Sequence, residues 1–157
     1  MFLDIQIDSR EKAKAIKLIL KEFEEQNVNY FVSKLLVGDY MNLDNPKLIV
    51  DRKQNLLEVA TNLIQQHDRF INEIKRANSA EIKLIFLVEH GGSIKTLDDV
   101  QKWKNPRLKD SKFAVSGERL YKMISVLCAH HNVDFIFCNK QETGNKIIEI
   151  LETKNEI

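Results

Sequence analysis

Three short acidic segments hold the residues whose types and spacing fit chemistry. They are Asp8 with Glu11, then Gly38-Asp39-Tyr40, then Asp51-Arg52-Lys53. Each falls at the end of an expected strand. Side chains alternate along a strand, so Asp51 and Lys53 point to one face. A carboxylate beside an ammonium on one face makes either a plain salt bridge or a seat for a divalent cation next to a group that orients or deprotonates water. Asp39 lies twelve residues before Asp51, across a turn at Asp44-Asn45-Pro46. An antiparallel hairpin through that turn brings Asp39 towards Asp51. Oxygen ligands of this kind suit Mg²⁺ or Mn²⁺ rather than zinc.

The elements that position these residues follow from periodicity. Leu3, Ile5 and Ile7 alternate with polar residues, which predicts a strand over residues 2–8. Ile16, Ile19, Leu20 and Phe23 follow helical spacing, so residues 11–26 read as an amphipathic helix. Gly38 marks a bend or close backbone approach within 35–43, and 47–53 is the next strand. Leu56, Ala60, Leu63 and Ile64 open a second helix. Gln65-Gln66-His67-Asp68 interrupts it, and Phe70, Ile74 and Ala77 resume the stripe. A buried strand over 82–88, a helix over 116–131, a strand over 133–138 and a helix around Ile147 to Leu151 complete the pattern. Strands alternating with helices predict an α/β fold whose helices cover a mixed central sheet.

Ile7-Asp8-Ser9-Arg10-Glu11, Val37-Gly38-Asp39-Tyr40 and Val50-Asp51-Arg52-Lys53 resemble the nuclease domain of the XPF/Mus structure-specific endonucleases. That family carries D-x-R-E, then G-D-Y, then E-R-K followed by three residues and an Asp. It belongs to the PD-(D/E)XK nuclease superfamily. Asp68-Arg69-Phe70 to Glu73 is similar to the family's R-F segment on the following helix. The resemblance is firm over residues 3–90 and weaker beyond.

The resemblance implies a restriction-endonuclease-like fold, with residues 1–157 forming one nuclease domain and no helix-hairpin-helix module. Such a stand-alone form looks like those of phages and mobile elements. The implied activity is Mg²⁺- or Mn²⁺-dependent hydrolysis of DNA phosphodiester bonds, on branched or forked DNA. The alternative is an inactive nuclease-fold subunit that binds DNA or a protein partner. Asp39 and Asp51 are the implied metal ligands, with the backbone carbonyl of Arg52 adding another oxygen. Lys53 positions or activates the attacking water. Asp8 and Glu11 complete the acidic rim, binding metal directly or through water. Arg10 and Arg52 bind phosphate or lock carboxylates, and Arg69 joins Arg10 in contacting DNA. Pairing through the nuclease domain is also implied, with 116–134 a candidate surface for a homodimer. Two departures stand out. The family's Glu in E-R-K is Asp51 here, and its final acid falls at Leu57. The neighbouring Glu58 points about 100° away around a helix and is not taken as a substitute.

Composition sets the remaining bounds. The chain has 157 residues, 43% hydrophobic and 30% charged, with 24 Lys plus Arg against 23 Asp plus Glu. That argues against wholesale disorder, a disulfide scaffold and a uniformly basic nucleic-acid coat. Two cysteines are too few for a zinc cluster and fit a reducing cytoplasm. No apolar run spans a membrane and no signal peptide is expected. Locally, Lys95, Lys102, Lys104, Arg107, Lys109 and Lys112 face only Asp98, Asp99 and Asp110, with Trp103 and Phe113 interleaved. This segment reads as a basic arm for DNA, with Lys102, Lys104 and Arg107 on phosphates and an aromatic available to stack on a splayed base. The plainer reading is a solvated loop with Trp103 tucked into the core. His67, Asp68, His130 and His131 read as helix-end residues. Glu89 is equally balanced between joining the acidic site and capping a turn.

Overall fold

A computed structural model describes residues 3–152. The expected Phe2 start of the first strand and the outer ends of the 1–157 range lie outside the described residues. Six strands form one mixed sheet. They are β1 (Asp4–Ile7), β2 (Asn29–Val32), β3 (Tyr40–Asn42), β4 (Asn45–Lys53), β5 (Lys83–Glu89) and β6 (Val133–Cys138), in the spatial order β2-β1-β3-β4-β5-β6. β1 runs parallel to β2 and antiparallel to β3. β3 and β4 make the expected antiparallel hairpin, and β4, β5 and β6 run parallel. The helices are α1 (Lys17–Glu25), α2 (Leu56–Ile64), α3 (His67–Ser79), α4 (Gly117–His130) and α5 (Thr143–Glu152).

The pleat sends alternate residues of the central strands into two cores. Ile49, Leu84, Phe86, Val88, Phe135 and Phe137 pack on one face with apolar residues of α2, α3 and α4. Leu48, Val50, Ile85 and Leu87 pack on the other with residues of α1 and α5. β5 is covered on both faces and all its residues from Leu84 to Glu89 are buried. This is why it reads as an unbroken apolar run rather than an alternating one.

Local chemistry moved several boundaries. The first helix begins at Lys17 rather than residue 11. Lys12 to Ala15 are exposed and carry no apolar stripe, while Glu11 is drawn inward to Arg52 and Tyr40. The hairpin turn is centred on Leu43-Asp44, one residue earlier than expected. The Asn42 side chain accepts the Asp44 N–H at 2.9 Å and fixes an Asx turn there. Pro46 then sits near the start of β4, where a missing donor is tolerated. The break between α2 and α3 is confined to Gln65-Gln66, and His67 already belongs to α3.

Residues 93–115 are largely irregular, with short 3-10 turns at Asp98–Lys102 and Pro106–Lys109. Trp103 is buried in the α2/α3/α4 core, as the plainer reading expected, and Phe113 is exposed.

Candidate active site

The three acidic segments converge at one end of β1, β3 and β4. Asp39 is the hinge of this meeting. Its N–H donates to the Val50 carbonyl at 2.9 Å, and its carbonyl accepts the Asp8 N–H at 2.8 Å. Gly38 makes the approach possible. Its φ is +69°, which L side chains rarely adopt, and a Cβ there would collide with Ile49 Cγ2. The glycine of the Gly-Asp-Tyr segment is therefore required by backbone geometry as well as by space.

The half-buried Asp39 and the buried Asp51 are electrostatic neighbours, each acting on the other's carboxyl group. Burial and the Glu11 charge push the Asp39 carboxyl up to about 6. Burial and the charge of Asp39 raise Asp51 well above the ordinary carboxylate range. Two neighbouring carboxylates disfavour each other's ionised form, a repulsion that a bound cation would relieve. Lys53 supplies part of the counter-charge, with Nζ 3.7 Å from Asp51 Oδ1. Its ammonium also lies 5.4 Å from the Phe70 ring centre and 5.7 Å from that of Phe86. Burial lowers the Lys53 pKa, but Asp51, Glu58, Glu73 and Asp39 together hold it above the ordinary lysine value. Lys53 is thus a fixed cation in an aromatic cradle.

Arg52 points the other way. Its backbone N–H donates to Asp39 Oδ2 at 2.8 Å, on the side of the acidic pair. Its guanidinium lies against the opposite face, donating from Nε and Nη2 to the two oxygens of Glu11 at 2.8 and 2.9 Å. Nη1 donates to Glu89 Oε1 at 2.5 Å. Tyr40 donates its hydroxyl to Glu11 at 3.0 Å, and Thr143 donates to Glu89 at 2.8 Å. Burial lowers the guanidinium's pKa, but hydrogen bonding to Glu11 outweighs it and raises the group overall. Arg52 therefore locks carboxylates, and its buried guanidinium does not reach a phosphate surface. Glu11 lends charge to Asp39 from behind, with both oxygens engaged by Arg52. Glu89 belongs to this same clamp.

Asp8 is buried, and its Oδ1 accepts the Leu35 N–H at 2.8 Å. Arg10 Nε donates to its Oδ2 at 2.6 Å. Burial pushes the Asp8 carboxyl up, but the Arg10 side chain and the N–H groups of Leu35 and Arg10 outweigh it and hold it below the ordinary value. Its oxygens thus brace the 35–39 bend. Arg10 itself is largely exposed at the site's rim and feels the charges of Asp39 and Glu73. Arg69, Lys102, Lys104 and Arg107 are exposed.

Two site residues were not assigned from sequence. Glu73 of α3 accepts the Gly38 N–H at 3.4 Å, and its charge acts on Asp51, Lys53 and Arg10. Its signal was the spacing from Phe70, which places both on one side of α3. Glu58 accepts the Gln54 N–H at 3.1 Å, while its own N–H is capped by Asn55 at 2.9 Å. It stabilises the start of α2 and adds negative charge near Lys53. Leu57 is half-buried against the adjacent core. Among the described residues, no three His, Cys, Asp or Glu side chains are grouped to hold a metal ion. The protein thus offers two carboxylates, and backbone, water or phosphate oxygens must complete any shell, as Mg²⁺ commonly permits.

A six-stranded mixed sheet, flanked by helices and carrying this acidic pair beside a lysine, defines a nuclease-type domain. The described fold matches XPF from Aeropyrum pernix with a TM-score of 0.67 at 19% identity, covering 94% of this chain and 63% of that one. It matches the same protein in complex with DNA with a TM-score of 0.66 at 17% identity, covering 95% and 63%. The chain thus spans somewhat less than two thirds of those proteins. Residues 7–151 match the ERCC4 domain, and the chain belongs to that family. No curated protein sequence matches it. No helix among the described residues is long and apolar enough to cross a membrane.

Proposed function

We propose that this protein is a metal-dependent endodeoxyribonuclease that hydrolyses phosphodiester bonds in branched or forked DNA. One geometric relationship carries the reading: the buried Asp51 and the half-buried Asp39 meet at the ends of β3 and β4, with the Lys53 ammonium 3.7 Å from Asp51. That donor set suits a hard divalent cation, Mg²⁺ or Mn²⁺, held by Asp39, Asp51 and the carbonyl of Arg52. When bound, the cation polarises the phosphate and acidifies the attacking water. The chain's own residues do the rest. Lys53, held protonated, orients the water and offsets charge building on the phosphoryl oxygens. Arg52 fixes Asp39 through its N–H, and Glu11 and Glu89 fix Arg52. Arg10 binds a neighbouring phosphate, and Arg69, Lys102, Lys104 and Arg107 neutralise the backbone further out.

Pairing of two copies is proposed through 116–134. There an apolar groove between α3 and α4 is lined by Leu63, Ile71, Met123 and Leu127, with Val126 exposed. Light scattering of the purified protein reads this directly, and a monomer at all concentrations removes it.

A second reading is favoured by Leu57, which stands where the family carries an acid: a nuclease-fold subunit that binds DNA without cutting it. One experiment separates the two. Labelled duplex, forked and flapped DNA are incubated with Mg²⁺, with Mn²⁺ and with a chelator. Metal-dependent nicks support the enzyme. Retardation of DNA with no cut under any metal supports the binding subunit.

A further inference from the structure

The other acids round Asp39 and Asp51 differ in what their oxygens already hold. Asp8 commits Oδ1 to the Leu35 N–H and Oδ2 to Arg10. Both oxygens of Glu11 are taken by Arg52, and those of Glu89 by Arg52 and Thr143. Glu58 turns to the N–H of the exposed Gln54, at the start of α2. Glu73 is the exception. Its Oε1 accepts the Gly38 N–H at 3.4 Å, longer than an ordinary N–H···O bond, and its Oε2 makes no hydrogen bond among the described residues.

Glu73 nevertheless belongs to the site. It lies three residues after Phe70 on α3, and the Phe70 ring centre is 5.4 Å from Lys53 Nζ. Positions so spaced share one side of a helix, so α3 presents ring and carboxylate to the same end of the sheet. Gly38, which Glu73 touches, is the residue before Asp39. The Glu73 charge acts on Asp51, Lys53 and Arg10. Towards Asp51 that action is repulsive, so without a cation Glu73 makes a crowded pair of carboxylates less favourable still. A divalent cation reverses the sign of the arrangement. Mg²⁺ demands an octahedral shell and keeps several waters in it, and a carboxylate within reach of those waters accepts their hydrogens and orients them.

We propose that Glu73 is the third carboxylate of the cation site, holding metal-bound water from α3 in place of the acid missing at Leu57. The assignment rests on the nuclease reading above and deepens it. Leu57 is half-buried and packs on the core shared by α2, α3 and α4, so an acid there would lie against apolar side chains. The adjacent helix α3 brings a carboxylate to the same pair from another side. Glu73 is a positioning residue, because it acts on the cation's water and not on the scissile bond.

The test is Mn²⁺ binding by calorimetry without DNA, paired with melting in chelator, for wild type, Glu73→Gln and Glu58→Gln. Glu73→Gln keeps an acceptor for the Gly38 N–H and removes only the charge. It should weaken Mn²⁺ binding by roughly 10–100-fold, with a melting temperature in chelator no lower than that of wild type. Glu58→Gln removes an equal charge near Lys53 and should leave Mn²⁺ affinity nearly unchanged. Wild-type affinity in Glu73→Gln overturns the assignment while the nuclease reading stands. Equal weakening in both variants overturns it too, since the effect is then a diffuse field. Weakened binding that comes only with a lowered melting temperature makes Glu73 a brace of the Gly38 bend, and the assignment again fails. If wild type itself binds no Mn²⁺, the metal-dependent reading falls first, and this assignment with it.

Discussion

The backbone N–H of Arg52 donates to the Asp39 carboxylate at 2.8 Å, while the guanidinium of the same residue grips Glu11 and Glu89 on the opposite face of the sheet. One residue thus couples the acidic pair to a buried ionic clamp. Asp39 is oriented by a peptide whose own position is set by charge on the far side of β4.

Removing the guanidinium should therefore act on stability and chemistry together. Arg52→Met leaves Glu11 and Glu89 buried with no cation, an arrangement that costs about 3–5 kcal/mol. Arg52→Lys keeps the charge but cannot serve both oxygens of Glu11 and one of Glu89. Urea denaturation should rank wild type above the Lys variant and the Lys variant above the Met variant. Equal midpoints for all three would show that the clamp contributes nothing to folding.

The raised carboxyl of Asp39 gives a pH signature with a definite sign. The Asp39 carboxyl is pushed up to about 6 by burial and by Glu11, against an ordinary 3.8 in the unfolded chain. Between those values the native state holds the extra proton, so the group's contribution to stability falls as pH rises, and above about 6 its full cost is present. Asp39→Asn removes that cost and still accepts the Arg52 N–H. In chelator at pH near 7.5 the variant should melt a few degrees above wild type. The gain should vanish below about pH 4, where Asp is protonated in both states. The same substitution should abolish Mn²⁺ binding by calorimetry. A melting temperature equal to wild type at both pH values, with Mn²⁺ still bound, would remove Asp39 from the site.

Lys53 is predicted to act as a cation and not as a base. Lys53→Met should lower single-turnover cleavage by roughly 10²–10³-fold, with DNA affinity nearly unchanged. Lys53→Arg should not rescue it, because a planar guanidinium does not fit the cradle between Phe70 and Phe86. The wild-type rate should show no inflection from this group between about pH 7 and 9. Wild-type cleavage by the Met variant would reduce Lys53 to a salt-bridge partner of Asp51.

Gly38→Ala tests the backbone requirement. The new Cβ meets Ile49 and is forced into a positive-φ conformation. The combination should cost about 1–3 kcal/mol and displace Asp39. Reduced thermal stability with a matching loss of cleavage is expected. Retention of both would mean that the bend tolerates a side chain.

Neutralising Lys102, Lys104 and Arg107 together should weaken DNA binding regardless of sequence. It should also flatten the salt dependence by about one slope unit per lost phosphate contact. All three are exposed, so melting should barely move. An unchanged slope would mean that the segment faces away from DNA.

Much of the site was legible in the sequence because its logic is local. Strand alternation alone puts Asp51 and Lys53 on one face, and a short turn alone returns Asp39 to Asp51 in an antiparallel hairpin. Apolar periodicity likewise marks the strands and helices, with end-shifts where Glu11 and Asn42 form side-chain bonds that periodicity does not register.

Tertiary structure decided what each charged group meets. Arg52 sits between Asp51 and Lys53 in sequence, yet the pleat turns it to the other core, where β5 and α5 bring Glu89 and Thr143. Glu73 reaches Gly38 from α3, across a separation that no local rule spans. Trp103 and Phe113 have similar neighbours in sequence, but only Trp103 finds a core position beside Val100 and α4. Pairing within a strand follows from its repeat of two. Pairing between elements depends on sheet order and on which face each crossover helix covers, and those are set only when the two cores close.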